Sequence, residues 1–146
     1  MVYVDTSVLV AYYCPEPLSV AVQQFLIEQP KPAISSLTEV ELFSAVARKV
    51  RMNELDQIDG NRILSRFLSH LDADYFTLIA VESRHWRLAR SYIGLFNTSL
   101  RTLDALHLAI ASLEEFELVT SDQQLVQAAA VLGVRTRTGE LLRDGG

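Results

Sequence analysis

The chain has 146 residues, a formal net charge of -5 at pH 7, and a hydrophobic share of 49%. This length fits one domain with a substantial core, and the acidic balance does not indicate a basic nucleic-acid-binding surface. Cys14 is the single cysteine in the sequence, which excludes an internal disulfide and a cysteine-based zinc site. We therefore expect a protein of the reducing cytoplasm. The first predicted strand begins at residue 2, so we expect no signal peptide, and no apolar stretch is long enough to span a bilayer.

Short apolar segments alternate with segments of helical periodicity along the whole chain. Strands are predicted at residues 2–4, 33–35, 75–81, 117–120 and 134–136. Helices are predicted at about 6–13, 18–29, 37–50, 55–71, 82–96, 103–116 and 121–132. Gly60 weakens the prediction of one continuous fourth helix, Thr102 is the predicted N-cap of the sixth, and Gly133 is predicted to end the last. This alternation predicts a parallel sheet covered by helices. We expect one domain over residues 1–146, with a loosely ordered tail from about residue 138.

Four acidic residues lie close to the predicted carboxyl ends of strands, where ligands bind in open α/β sheets. They are Asp5, Glu41, Asp104 and Asp122. Each has an ordinary structural interpretation, as a helix cap, a helix-dipole partner or a solvated helix residue. Together, however, converging carboxylates repel one another unless a hard cation binds between them. Mg²⁺ or Mn²⁺ held by carboxylates is the usual equipment for hydrolysing phosphodiesters.

Four segments of the sequence, taken in order, resemble the signature segments of PIN domains. They read VDTSVL at 4–9, SLTEVEL at 36–42, LDALHLA at 103–109 and VTSD at 119–122. The length and the order of the segments are similar to those of VapC-type toxins of bacterial toxin–antitoxin pairs. The resemblance implies a three-layer α/β/α fold with about five parallel strands and the four carboxylates at one edge. One departure is Ser121, at a position where relatives often carry Asn.

The resemblance also implies an activity, a cofactor and partners. The expected activity is a Mg²⁺- or Mn²⁺-dependent endoribonuclease, in which Asp5, Glu41, Asp104 and Asp122 bind metal or position water. The expected partners are RNA, a small antitoxin whose C-terminal segment blocks the site, and a second copy of the chain in a homodimer.

Several other residues are candidates for supporting roles around the carboxylates. We expect Thr6 and Ser7 to orient Asp5 or a metal-bound water, or else to cap the first helix, and Thr120 to do similar work. Arg101, shortly before Asp104, is the candidate for a phosphate contact. Arg48, Lys49 and Arg51 gather at one helix end. His107 is expected to be a hydrogen-bonded structural histidine, and Trp86 and Phe96 to be packing residues.

Two alternative functions remain open from the sequence. The first is a phosphohydrolase of the haloacid dehalogenase type, because those enzymes also place an Asp after their first strand. Their phosphatases need a second Asp two residues later, where this chain has Ser7. The second is a non-catalytic PIN-like module that binds protein or RNA. A dinucleotide-binding site is excluded because no glycine-rich turn follows the first strand.

Overall fold

A computed structural model describes residues 1–138 of the chain. Its strands are β1 (Val2–Val4), β2 (Ala33–Ser35), β3 (Thr77–Ile79), β4 (Glu117–Val119) and β5 (Thr136–Arg137). Its helices are α1 (Thr6–Tyr13), α2 (Ser19–Glu28), α3 (Ser36–Arg51), α4 (Gln57–Asp72), α5 (Ser83–Gly94), α6 (Thr102–Leu113) and α7 (Gln123–Leu132). All strand pairs are parallel, in the order β3-β2-β1-β4-β5. The predicted parallel α/β/α fold is confirmed.

Each face of the sheet contributes side chains to its own hydrophobic cluster, because successive strand residues point to opposite sides. Val2 and Val4 pack with α1 to α4, whereas Tyr3 between them packs with α5 to α7. The three central strands, β1, β2 and β4, are buried on both faces and are mostly apolar, as is typical of parallel sheets, whereas the edge strands β3 and β5 are only partly buried. Within residues 1–138, no helix is both long and apolar enough to cross a membrane.

Element boundaries differ from the prediction mainly where turns begin. The third strand is shorter than expected, because the Tyr75 N–H still bonds to the His70 carbonyl and closes the end of α4. Helix α6 ends at Leu113 because Glu115 adopts a left-handed turn with φ of 60°. The predicted N-cap at Thr102 is wrong by one residue, since Arg101 holds the extended cap position. The predicted loose tail lies outside the described residues, apart from its first residue.

The predicted packing role of Trp86 and Phe96 is wrong. The buried positions of α5 are His85, Ala89 and Tyr92, which places Trp86 at the border of the stripe with 48% exposure. Phe96 lies beyond the last residue of α5, adopts a positive φ of 54°, and is 93% exposed. The apolar spacing of the sequence extends past Gly94, where the helix ends, and His85 occupies the buried position predicted for Trp86.

Gly60 lets α3 and α4 approach each other closely. It is buried in the first turns of α4, and a β-carbon built on it would lie 2.9 Å from Cγ2 of Val50 and 3.6 Å from Cγ1 of Val46. Valine side chains in a helix have one strongly preferred rotamer and cannot easily turn away. The glycine that weakened the helix prediction thus serves the packing of two helices.

A pair of glycine substitutions tests this contact. Gly60→Ala should destabilise the protein by roughly 1 kcal/mol, because the clash with Val50 exceeds the gain in helix propensity. Gly94→Ala, at a helical glycine with nothing within 4 Å of the added carbon, should stabilise it by roughly 0.5 to 1 kcal/mol. Urea unfolding at one fixed protein concentration measures both. A stabilising Gly60→Ala change would contradict the proposed close approach.

Candidate active site

The four acidic candidates surround the point where the strand order of the sheet reverses. The chain passes from β1 to β2 on one side, while β4 lies on the other side of β1. Such switch points open a crevice beyond the carboxyl ends of the strands. Asp5 follows β1 at this point, and its N–H donates to the Val119 carbonyl of β4 at 3.1 Å.

Asp5 is the buried centre of the site, with 4% of its surface exposed. Its Oδ1 accepts hydrogen bonds from the Ser7 hydroxyl at 2.6 Å and the Val8 N–H at 3.2 Å, and its Oδ2 accepts one from the Thr120 hydroxyl at 2.5 Å. Burial raises the pKa of Asp5, and these hydrogen bonds oppose the rise. The helix-cap interpretation of Asp5 therefore holds together with its central position, because the same carboxylate caps α1.

Thr120 joins Asp5 to Asp122. Its Oγ1 donates to Asp5 and accepts the N–H of Asp122 at 3.0 Å. The Ser7 hydroxyl makes a second link, since its oxygen accepts the Ser121 N–H at 3.2 Å. Oδ1 of Asp122 caps α7 by accepting the backbone N–H groups of Gln124 at 2.9 Å and Leu125 at 3.4 Å. The turns after β1 and β4 are thus held as one unit.

Glu41 reaches the site from α3 and is fixed by two donors. The Thr6 hydroxyl donates to its Oε1 at 2.7 Å, and Nε2 of His107 lies 2.6 Å from the same oxygen. Burial alone would raise the pKa of Glu41, but the hydrogen bonds and charge of His107 and the Thr6 bond lower it overall. Thr6 therefore contacts Glu41, whereas Ser7 contacts Asp5.

A chain of buried hydrogen bonds leads from Glu41 into the core. His107 Nδ1 lies 2.7 Å from the Tyr3 hydroxyl, which lies 2.9 Å from the Ser35 hydroxyl. Nε2–H of His107 donates to Glu41, while Nδ1 and the hydroxyls of Tyr3 and Ser35 continue the chain into the core. His107 is 3% exposed, so its predicted structural role is confirmed. Tyr3 is not among the site residues predicted from the sequence, although its hydroxyl in an otherwise apolar strand is a signal of such a role.

Asp104, in the first turn of α6, is the least compensated of the four carboxylates. Its pKa is raised, first by burial and then by the charge of Asp122, with smaller contributions from Glu41 and Asp5, while His107 acts in the opposite direction. Its carboxylate makes no hydrogen bond and no ion pair with any of the described residues. The four carboxylates therefore lie close enough for their charges to act on one another.

Arg101 is exposed and holds the N-cap position of α6, with its carbonyl accepting the Ala105 N–H at 3.0 Å. Within residues 1–138 its guanidinium forms no ion pair. The structure therefore places Arg101 three residues before Asp104 but does not bring it into contact with the carboxylates.

The site has the donors for a hard divalent cation but not a closed cage. Within residues 1–138, no three His, Cys, Asp or Glu side chains are arranged to hold one metal ion. Both oxygens of Asp5 and one oxygen of Glu41 are already hydrogen-bonded. Mg²⁺ needs only one or two carboxylates because it keeps several waters. The uncompensated charge of Asp104 beside Asp122 fits such a cation.

Comparison with known proteins identifies the family of this chain. The model of the PIN domain family matches residues 2–131. The chain belongs to the PIN domain family. It is 33% identical over 136 residues to Ribonuclease VapC46 of Mycobacterium tuberculosis, which covers 91% of this chain and 93% of that protein. Membership of the PIN domain family excludes the alternative of a haloacid-dehalogenase-type phosphohydrolase.

Two solved structures share the fold of this PIN domain. One is FitAcB from Neisseria gonorrhoeae, with a TM-score of 0.72, 20% identity, and coverage of 96% of this chain and 99% of that chain. The other is a toxin–antitoxin complex from Klebsiella pneumoniae, with a TM-score of 0.69, 19% identity, and coverage of 95% and 98%. At these identities the likeness shows the fold.

Substitution of Thr120 tests the link between the two turns. Thr120→Val removes the hydroxyl that donates to Asp5 and accepts from the Asp122 N–H, so it should destabilise the protein by roughly 2 to 3 kcal/mol. Thr120→Ser keeps the hydroxyl and should lose clearly less. Urea unfolding at pH 7 compares the two variants. If Thr120→Val loses no more stability than Thr120→Ser, the hydroxyl does not join the two turns.

The raised pKa of Asp104 predicts a pH-dependent stability in the absence of metal. A carboxyl whose folded-state pKa lies above its unfolded value favours the folded state least when it is ionised, so its unfavourable contribution appears as pH rises through that window. Asp104→Asn should therefore stabilise the EDTA-treated protein at pH 7, by roughly 0.5 kcal/mol after discounting for solvent screening. The gain should vanish below the ordinary pKa of aspartate.

Asp72→Asn is the control for this measurement, because Asp72 is exposed at the far end of α4. Its effect on the free energy of unfolding at pH 7 should be clearly smaller than that of Asp104→Asn. Urea unfolding curves of both variants at neutral and acidic pH provide the comparison. A destabilising Asp104→Asn substitution at pH 7 would show that the carboxylate is compensated in the metal-free protein.

Proposed function

We propose that this PIN domain is a divalent-metal-dependent endoribonuclease and the toxin of a toxin–antitoxin pair. The observation that carries the proposal is the convergence of Asp5, Glu41, Asp104 and Asp122 at the switch point of the sheet. The 33% identity to a protein named as a ribonuclease supports the reaction, since the match spans nearly the full length of both chains. The fold shared with a toxin–antitoxin complex supports the biological setting.

The four carboxylates are the proposed ligands and water-positioning groups for Mg²⁺ or Mn²⁺. A bound divalent ion would neutralise charge on the scissile phosphate and lower the pKa of an attacking water. Asp104 and Asp122 offer carboxylate oxygens without a hydrogen-bond partner among the described residues, whereas Asp5 is held rigidly by Ser7 and Thr120. That difference favours Asp104 and Asp122 as the readily available ligands.

Glu41 has a separate role in the proposed reaction. Thr6 and His107 hold one of its oxygens, and its lowered pKa keeps the carboxylate ionised near neutral pH. An ionised, fixed carboxylate can accept a hydrogen bond from the attacking water and orient it. Arg101, exposed beside the start of α6, is the proposed contact for a substrate phosphate.

The proposed protein partner is an antitoxin whose C-terminal segment covers the carboxylates. An acidic crevice attracts a basic segment, and charge complementarity favours fast association. We place the protein in the cytoplasm, because Cys14 is a free, buried thiol. The homodimer expected from the family resemblance remains a prediction.

A non-catalytic binding module is the competing function. The hydrogen bonds that already occupy both oxygens of Asp5 and one oxygen of Glu41 favour it, because they leave fewer oxygens open to a metal ion. The two functions differ in one measurable respect, which is whether RNA cleavage requires both a divalent ion and the carboxylates.

Cleavage of a mixed RNA pool by purified, antitoxin-free protein is the experiment that separates them. We expect cleavage with Mg²⁺ or Mn²⁺ and none with EDTA. Asp5→Asn and Asp104→Asn should each lower the rate roughly a hundredfold or more, which corresponds to about 2.7 kcal/mol of lost transition-state stabilisation. Asp104→Asn is the cleaner variant, because Asn at position 5 would also disturb the hydrogen bonds of Ser7 and Thr120.

Asp72→Asn supplies the matched control, with the same chemical change at an exposed site. Calorimetry with Mn²⁺ provides a readout that does not depend on finding the right RNA. If the folded wild type neither binds Mn²⁺ nor cleaves RNA, the metallonuclease proposal fails and the binding module remains. If Asp104→Asn cleaves as fast as the wild type, the assignment of that residue fails.

A further inference from the structure

A groove of about 540 Å³ runs along α3, from Glu41 towards the C-terminal end of the helix. One end is lined by Thr6, Glu41 and Leu103, and the other by Arg48 and Arg51. The groove is therefore continuous with the candidate active site, since it shares Glu41 and the Thr6 that holds it. A strand bound at the carboxylates would be guided along α3.

Helical spacing places the groove residues on one face of α3. Glu41, Ser44, Arg48 and Arg51 follow one another at intervals of three or four residues, which brings their side chains onto one side of a helix. At a rise of 1.5 Å per residue, Arg48 and Arg51 lie roughly 10 and 15 Å beyond Glu41 along the axis. These distances suit phosphates that flank a phosphate held at the carboxylates.

The charges in the groove are not equivalent. Lys49 is held by Glu16 at 3.4 Å and Glu54 at 3.6 Å, so its charge is locally balanced. Arg48 and Arg51 are exposed, and the ion pairs within residues 1–138 include neither of them. In a chain of net charge -5, these two guanidiniums place positive charge at the far end of a groove whose lining also includes the acidic Glu41 and Glu54.

We propose, resting on the ribonuclease function above, that this groove binds the RNA backbone beside the cleavage site, with Arg48 and Arg51 contacting its phosphates. Guanidinium groups bind phosphate through paired N–H donors. The groove accounts for how an acidic protein binds a polyanion, because attraction along α3 offsets repulsion at the carboxylates. A purely structural role, in which these arginines only favour the C-terminal end of the α3 dipole, predicts altered stability without altered RNA binding.

Fluorescence anisotropy with a short, labelled, mixed-sequence single-stranded RNA tests the groove. The measurement is made in the Asp104→Asn protein with Mg²⁺, where the RNA should stay intact. Arg48→Gln and Arg51→Gln should each weaken binding roughly threefold to tenfold. The double variant should also reduce the slope of log affinity against log salt by about 1.4, at about 0.7 per lost contact on a single strand.

Arg90→Gln is the matched control, because it removes one exposed guanidinium from α5, outside the groove. It should bind RNA like its parent, and urea unfolding should show all variants to be folded. The double variant in the wild-type background should cleave RNA with a raised KM and a nearly unchanged kcat, since the carboxylates remain intact.

The outcomes separate this inference from the function on which it rests. If the wild type cleaves RNA and the double variant binds with the affinity and salt slope of Arg90→Gln, the groove proposal is overturned and the ribonuclease proposal stands. If the wild type neither binds nor cleaves RNA, both are overturned. Weaker binding with a smaller salt slope, at unchanged fold and metal binding, supports the groove.

Discussion

The rest of the site depends on one buried carboxylate, Asp5, and on the cost of leaving it unpaired. A buried carboxylate without hydrogen bonds would be strongly unfavourable. Three donors satisfy it, and they come from two different segments of the chain: Ser7 and the Val8 N–H after β1, and Thr120 after β4. The requirement to satisfy one side chain therefore fixes the two strand ends that flank the switch point of the sheet.

The acidic residues differ in how many of their carboxylate oxygens are already hydrogen-bonded. Both oxygens of Asp5 are hydrogen-bonded, and Glu41 is held through one oxygen by Thr6 and His107. The carboxylate of Asp104 has no hydrogen-bond partner within residues 1–138. Positive charge or a proton is most needed where compensation is least, which is at Asp104 beside Asp122. The carboxylates therefore differ in how readily they could bind a metal ion. Asp5 is the least available, and Asp104 is the most available.

The sequence predicted the fold well because its signals are local. Apolar runs of three residues, capping residues such as Asp122 and the terminating Gly133 each define an element without knowledge of its neighbours. Some predictions failed at local turns, as at Phe96, and others failed where a distant contact decided the outcome. His85 is buried in place of Trp86, because its Nε2 lies 3.0 Å from Oε1 of Glu114 at the C-terminal end of α6. Periodicity alone cannot distinguish two adjacent positions at the edge of a stripe.

The candidate site shows the same division. Strand ends predicted that Asp5 and Asp122 lie at one edge of the sheet, because parallel strands bring their carboxyl ends together. Asp104 begins a helix that follows another helix, α5, so no strand end predicted its place. They could not predict that Thr6 would pair with Glu41, or that Tyr3 would support His107 from inside the core, since those contacts join residues 35 and 104 positions apart. The basic groove lies between these cases. The cluster of Arg48, Lys49 and Arg51 is visible in the sequence, but only the fold shows that Lys49 is balanced by Glu16 and that the two arginines extend the face of α3 that begins at Glu41.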